Sequence, residues 1–233
     1  MRPHFEQPHW NRFAATPYLP AGPVGFEPAK WVIRHELPGL PSAPLPLPAT
    51  LLDRSQVRSL CQASGIPVLF GYLCVMAWGG QGAGPGGGRN ARAAWEQRNL
   101  IETTLKRIRR GGLSRQQAYA LFQGAGEVFG LGPAYWTKLL YFFSPAPTSY
   151  VMDQWTSKSV NLLTGRVVVP LVNGSPAKNN PPDRYEEYCR VIDSMAVLLG
   201  LSGDQVEEKL MSRGGRTPAP WRAHVRRHFP KTN

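Results

Sequence analysis

The run Phe129-Gly130-Leu131-Gly132-Pro133-Ala134-Tyr135-Trp136-Thr137-Lys138-Leu139-Leu140-Tyr141-Phe142-Phe143 joins a glycine turn to a helix. Glycines at 130 and 132 are expected to take positive φ and to remove the Cβ atoms that would keep a partner away. Pro133 suits the first position of the following helix, where its missing N–H costs nothing. The backbone amides of Gly130, Leu131 and Gly132 are then expected to point outward as a nest for one phosphate. A tight helix–helix connection without a ligand would carry the same sequence. In the helix, Trp136, Leu139, Leu140 and Phe143 recur at i, i+3, i+4 and i+7 and form a core-facing stripe. Lys138 is expected on the opposite side, with Tyr135, Tyr141 and Phe142. Aromatic walls and a nearby helix N-terminus both disfavour an ammonium. Bringing a lysine from about 10.4 to about 7–8, as a nucleophile requires, corresponds to roughly 3–4 kcal/mol. A lysine that snorkels to solvent is the plainer alternative.

Fifteen residues on, Tyr150-Val151-Met152-Asp153-Gln154-Trp155 reads as an apolar approach to a helix capped by Asp153. Aspartate caps are common and mostly structural. The same geometry fixes a carboxylate rigidly, however, and an amine with an anchored carboxylate suits attack at a sugar anomeric carbon. The carboxylate would stabilise oxocarbenium-like charge while the amine adds covalently.

Gly130-Leu131-Gly132, Thr137-Lys138 and Asp153 at a helix start together resemble the helix–hairpin–helix DNA glycosylase superfamily. The likeness is greatest to its bacterial branch with an 8-oxoguanine DNA glycosylase fold, and it covers roughly residues 120–165. Lys138 lies farther past the hairpin than is typical of that superfamily, and its spacing to Asp153 is a few residues short. The resemblance implies a mostly α, two-lobed helical bundle whose hairpin amides hold a DNA phosphate. It also implies that Lys138 forms a Schiff base with C1′ and that Asp153 assists. The substrate implied is duplex DNA with the target nucleotide flipped into a pocket. Gln154, Trp155, Tyr135 and Phe142 are the candidates for the base pocket, and Lys158 is a further phosphate contact. Two alternatives stay open: a non-catalytic helical DNA-binding accessory protein, as in an antiviral defence operon, or an enzyme acting on another glycosidic substrate.

The rest of the sequence agrees with a basic helical protein. Its 233 residues suffice for one large domain or two packed lobes. Residues 1–50 hold nearly half of the 23 prolines and are expected to be extended, with a short strand or turn over 31–36, packed along a body that runs from 51 to 233. Asp53 is expected to cap a helix, the apolar run Ile66–Trp78 to form a buried one, and Gly79–Gly88 a non-helical loop. Ala91–Arg110 reads as one long helix ending in cations before Gly111-Gly112. Ser114 and Ser202 read as caps, residues 171–181 as a polar loop and Asp183–Leu199 as a helix. The total is seven or eight helices with no convincing strand.

Twenty-seven Lys and Arg against 15 Asp and Glu give a formal charge of +12 and a pI near 10.1, which points to a polyanionic partner. The basic clusters expected to meet DNA are Lys106–Arg110, with Arg109 and Arg110 foremost, and the tail residues Arg213, Arg216, Arg222, Arg226, Arg227 and Lys231. Three cysteines without a C-x-x-C pair exclude a four-thiolate iron–sulfur cluster and argue against zinc or disulfides. No cofactor or metal is expected. The first twenty residues lack the apolar core of a signal peptide, and no run is long enough to span a bilayer; the cysteine pattern points to the reducing cytoplasm, and a monomer is expected.

Overall fold

A computed structural model of the chain describes residues 3–40, 45–82, 87–124, 128–212 and 218–229. Among them are 12 helices and one short hairpin. In chain order the first helices are α1 (Gln7–Ala15), α2 (Pro28–His35), α3 (Arg54–Gln62), α4 (Val68–Trp78), α5 (Gly87–Glu96) and α6 (Arg98–Arg110). There follow α7 (Arg115–Gly124), α8 (Pro133–Phe143), α9 (Gln154–Thr164), strands β1 (Leu171–Val172) and β2 (Ser175–Pro176), α10 (Pro182–Leu199), α11 (Gly203–Met211) and α12 (Pro220–His228). The chain divides into two compact units, Ala21–Ala146 and the pair Met1–Pro20 with Pro147–Asn233.

The Ala21–Ala146 unit is organised by α4. Every one of its 11 residues is buried, because its side chains are apolar on all faces and such a helix must be enclosed. Helices α2, α3, α6 and α8 surround it. Gly71 permits a close approach: a Cβ there would press on the Phe143 ring and on Cys61. Asp53 caps α3 in a reciprocal box with Gln56, and Ser114 and Gln117 form the same exchange at α7, as their spacing predicts.

In the second unit α9 is central, packed by α1, α11 and α12. The Trp221 indole donates to Ser159 Oγ at 3.0 Å, and that hydroxyl donates to the Leu210 carbonyl. The Glu6 amide donates to the Leu163 carbonyl, tying the chain ahead of α1 to the end of α9. Ser202 caps α11 with Gln205.

Several expectations fail for identifiable reasons. The proline-rich beginning contains α1 and α2 rather than only extended chain, and residues 31–35 are helical. Pro8 and Pro28 occupy the first turns, where a missing donor is harmless, and burial of Phe13, Trp31 and Val32 fixes both helices. Ala91–Arg110 is two helices broken at Gln97. Part of the basic tail forms α12, again opened by a proline. These additions raise the count from eight to 12. The 171–181 loop contains the β1–β2 hairpin. It follows a turn held by Asn161, whose Oδ1 accepts from the amides of Val168 and Val169. Gly87 and Gly88 belong to α5, so the glycine segment is not loop throughout; its residues 83–86 lie outside the described residues. No helix among the described residues is long and apolar enough to cross a membrane.

Three histidines meet where α1 and α12 carry them. His9 Nδ1 and His224 Nε2 are 3.0 Å apart, and the His224 and His228 rings lie 4.3 Å apart. Burial, followed by the charges of His228, His9, Arg12 and Arg227, lowers His224 from about 6.5 to about 4. Burial and His228 likewise lower His9, against an opposing pull from Glu6. The unfolded chain therefore binds more protons than the folded one between roughly pH 4 and 6.5, so stability rises with pH across that window. Thermal melting is expected to move to lower temperature as pH falls from 7.5 to 5.5, and His224→Asn should flatten that dependence. An unchanged pH profile in the variant would remove the histidines from the account.

Candidate functional site

The hairpin segment is built within the Ala21–Ala146 unit. The Leu131 amide donates to the Val128 carbonyl, closing a tight turn with Gly130 at φ +88°. A Cβ on Gly130 would overlap the carbonyl oxygen of Asn90 on α5. Gln81 donates to the Gly130 carbonyl at 3.3 Å. The Gln97 amide group both accepts from the Phe129 N–H and donates to the Phe129 carbonyl. The break between α5 and α6 thus has a use, since Gln97 clamps the turn.

Gly132 departs from expectation. It is the N-cap of α8 in extended conformation at φ −132°, and a Cβ there would meet nothing within 4 Å. Only Gly130 needs a left-handed backbone. The Leu131 side chain is buried and its amide is engaged by Val128, so that residue offers no free donor. The amides of Gly132 and Ala134 carry no hydrogen bond among the described residues. They are the donors available at the start of α8.

Helix α8 is enclosed from Trp136 to Phe143, and Lys138 does not reach an exposed face: it is 7% exposed. Its Nζ donates to the Ala134 carbonyl at 3.2 Å and lies 5.1 Å from the centre of the Tyr135 ring. Its stem runs against Gly79, where a Cβ would press on Cδ and Cε. Of the aromatics expected around it, Tyr135 is half-buried. Phe142 is fully enclosed, edge-on to Trp78 and Tyr141 at 4.9 and 4.8 Å. Phe142 therefore packs within the core of this unit.

Asp153 caps α9. Its Oδ1 accepts from the amides of Trp155 and Thr156 at 2.7 and 2.9 Å, and Thr156 Oγ1 accepts from the Asp153 amide. Oδ2 has no hydrogen-bond partner among the described residues. Gln154, first in the helix, is exposed. Trp155 is half-buried and ringed by cations: the Arg222 guanidinium lies 3.9 Å from the ring centre, Lys158 Nζ 4.9 Å and the Arg226 guanidinium 5.6 Å. Burial lowers Lys158, with Arg222 adding to the effect and Asp153 opposing it. Burial also lowers Arg222 to about 10, Asp153 opposing and Arg226 adding.

The remaining basic residues separate into engaged and open groups. Arg109 donates to the Ile66 and Ala63 carbonyls at 2.7 and 3.3 Å, closing the loop after α3. Lys106 pairs with Glu102 at 2.7 Å. Arg110, Arg226 and Arg227 are exposed. Arg213, Arg216 and Lys231 lie outside the described residues. Among the described residues no cluster of three or more His, Cys, Asp or Glu side chains is arranged to hold a metal ion.

Comparison with protein families gives a match across most of the chain. The model of the family described as "Putative 8-oxoguanine DNA glycosylase OGG-like protein" matches residues 18–210. The chain belongs to this OGG-like glycosylase family. Searches of curated proteins and of solved structures gave no match. Membership implies DNA binding and 8-oxoguanine glycosylase-like function, which the net charge of +12 suits.

Sequence reasoning missed Gln81, Gln97 and Asn90 around the hairpin, which no local pattern marks. It placed Arg222 only in a basic cluster, although the four-residue spacing from Arg222 to Arg226 puts both on one helix face. The two hairpin glycines should now behave differently. Gly130→Ala is expected to cost more than about 1–2 kcal/mol, because a left-handed backbone conformation and an overlap with Asn90 combine. Gly132→Ala should stay within about 1 kcal/mol, the loss of a fair N-cap. Denaturant unfolding measures both, and equal losses would show that positive φ at residue 130 is not what holds the turn.

Proposed function

We propose that this OGG-like protein is a DNA glycosylase with associated lyase activity, in which Lys138 is the nucleophile and Asp153 the assisting carboxylate. The observation that carries the reading is the family match across residues 18–210. Features within each unit support it. Lys138 is a nearly buried amine beside an aromatic face. Asp153 is a carboxylate with one oxygen fixed by the backbone and the other open.

In the proposed reaction the Lys138 amine bonds to C1′ of the target nucleotide as the C1′–base bond breaks. The base departs with the bonding electron pair and takes up a proton. Asp153 stabilises the positive charge that develops on the sugar. Loss of a proton from nitrogen and opening of the ring leave an imine, and removal of a C2′ proton then expels the 3′ phosphate. Gln154 and Tyr135 are the proposed contacts to the base. Gly132 and Ala134 are the proposed amide donors to a backbone phosphate at the hairpin.

The test uses duplex DNA carrying 8-oxoguanine, with base release and borohydride trapping as readouts. Wild type should release the base and cross-link, and Lys138→Gln should lose the cross-link. Asp153→Asn should melt within about 1 kcal/mol of wild type, because asparagine caps a helix as well as aspartate does. Its base release should nevertheless fall about 10²–10⁴-fold. Identical cross-linking by wild type and Lys138→Gln would overturn the assignment of the nucleophile. Absence of base release from any modified duplex would overturn the enzyme.

A further inference from the structure

Among the described residues, the cations around Trp155 outnumber the carboxylates whose charge reaches them. Arg222, Lys158 and Arg226 all lie within 5.6 Å of one ring centre, and Asp153 is the carboxylate whose charge bears on the first two. Nζ of Lys158 hydrogen-bonds to nothing among the described residues; it lies over Trp155 and, at 5.8 Å, over Phe229. Arg222 directs Nε and Nη2 to the carbonyls of Met211 and Ser212, which close α11, and its Nη1 makes no hydrogen bond among the described residues. Arg226, one turn further along α12, is exposed. Like charges held this close repel, and removing Lys158 and Arg222 from water raises the cost. Such a cluster is accounted for when a bound anion completes it.

We propose that Lys158, Arg222 and Arg226 form a clasp for one phosphodiester of the DNA backbone, with the Trp155 ring as its floor. Trp155 is then a platform for cations and not for a flipped base, since Arg222 already covers one face of the ring at 3.9 Å. A phosphodiester fits because its single charge and two free oxygens can accept from an ammonium and a guanidinium together. The clasp rests on the DNA-binding reading above, and it adds a contact in the Met1–Pro20 and Pro147–Asn233 unit to the one proposed at the α8 hairpin.

The experiment measures the salt dependence of binding to a duplex that carries an uncleavable abasic analogue. Each phosphate contact contributes about one unit to the slope of log K against log salt. Lys158→Gln and Arg226→Gln should each lower that slope, and the double variant should lower it by about one, the share of the one phosphate they hold. Lys158→Arg should retain it, and Arg190→Gln, on α10 and paired with Glu186, should leave it unchanged. Arg222 is left intact because its loss would uncap α11, and melting curves on each variant confirm an intact fold. Wild-type slopes in both glutamine variants would overturn the clasp while leaving DNA binding in place. A wild type that does not bind the duplex would overturn the DNA-binding reading and the clasp with it.

Discussion

A helix with no polar face cannot border water, and α4 imposes that constraint on the Ala21–Ala146 unit. Burying its side chains requires partners on every side, and α2, α3, α6 and α8 supply them. At roughly 1.5–3 kcal/mol for each large apolar side chain, its burial is a large contribution to assembling this unit. The position of Lys138 follows from it. Because α8 packs against α3, α6 and α7 as well as α4, Lys138 is left only 7% exposed, and the missing side chain at Gly79, just past the end of α4, leaves the space through which its stem runs.

The two units treat charge differently. In the first, the Lys138 amino group is shielded within a nearly apolar helix and rests on a backbone carbonyl and a tyrosine face. In the second, three cations gather about an indole, with a partial counterweight from Asp153. The indole makes this tolerable, since its face attracts cations without neutralising them. Arg222 adds a structural role by satisfying the carbonyls at the end of α11. One residue therefore serves both folding and the local charge, which places the cluster on rigid structure.

Much of this was legible in the sequence where the signal is local. Caps at Asp53, Ser114, Asp153 and Ser202 announce themselves by residue type and by partners two or three positions on. The apolar run of α4 and the proline at the start of α8 are equally direct. Non-local choices were not legible. Proline density over residues 1–50 suggests extended chain, yet two of those prolines open helices that tertiary burial of Phe13 and Trp31 stabilises. The aromatic neighbours of Lys138 in α8 suggest a shielded lysine, but periodicity records what one face buries and is silent on which second layer covers the other. Gly130 and Gly132 look alike in sequence, and only the Asn90 carbonyl and the sign of φ distinguish them.

The capping role of Asp153 is compatible with a chemical one because its two oxygens are not equivalent. Oδ1 is held by two amides and by the geometry of the first turn of α9, while Oδ2 is left open. A carboxylate on a freely rotating side chain would lose entropy and reorganise as charge developed on a nearby group. One clamped by the backbone has already met that cost during folding, and it presents a fixed oxygen. The cap is thus a means of preorganisation, achieved with hydrogen bonds that the helix requires in any case.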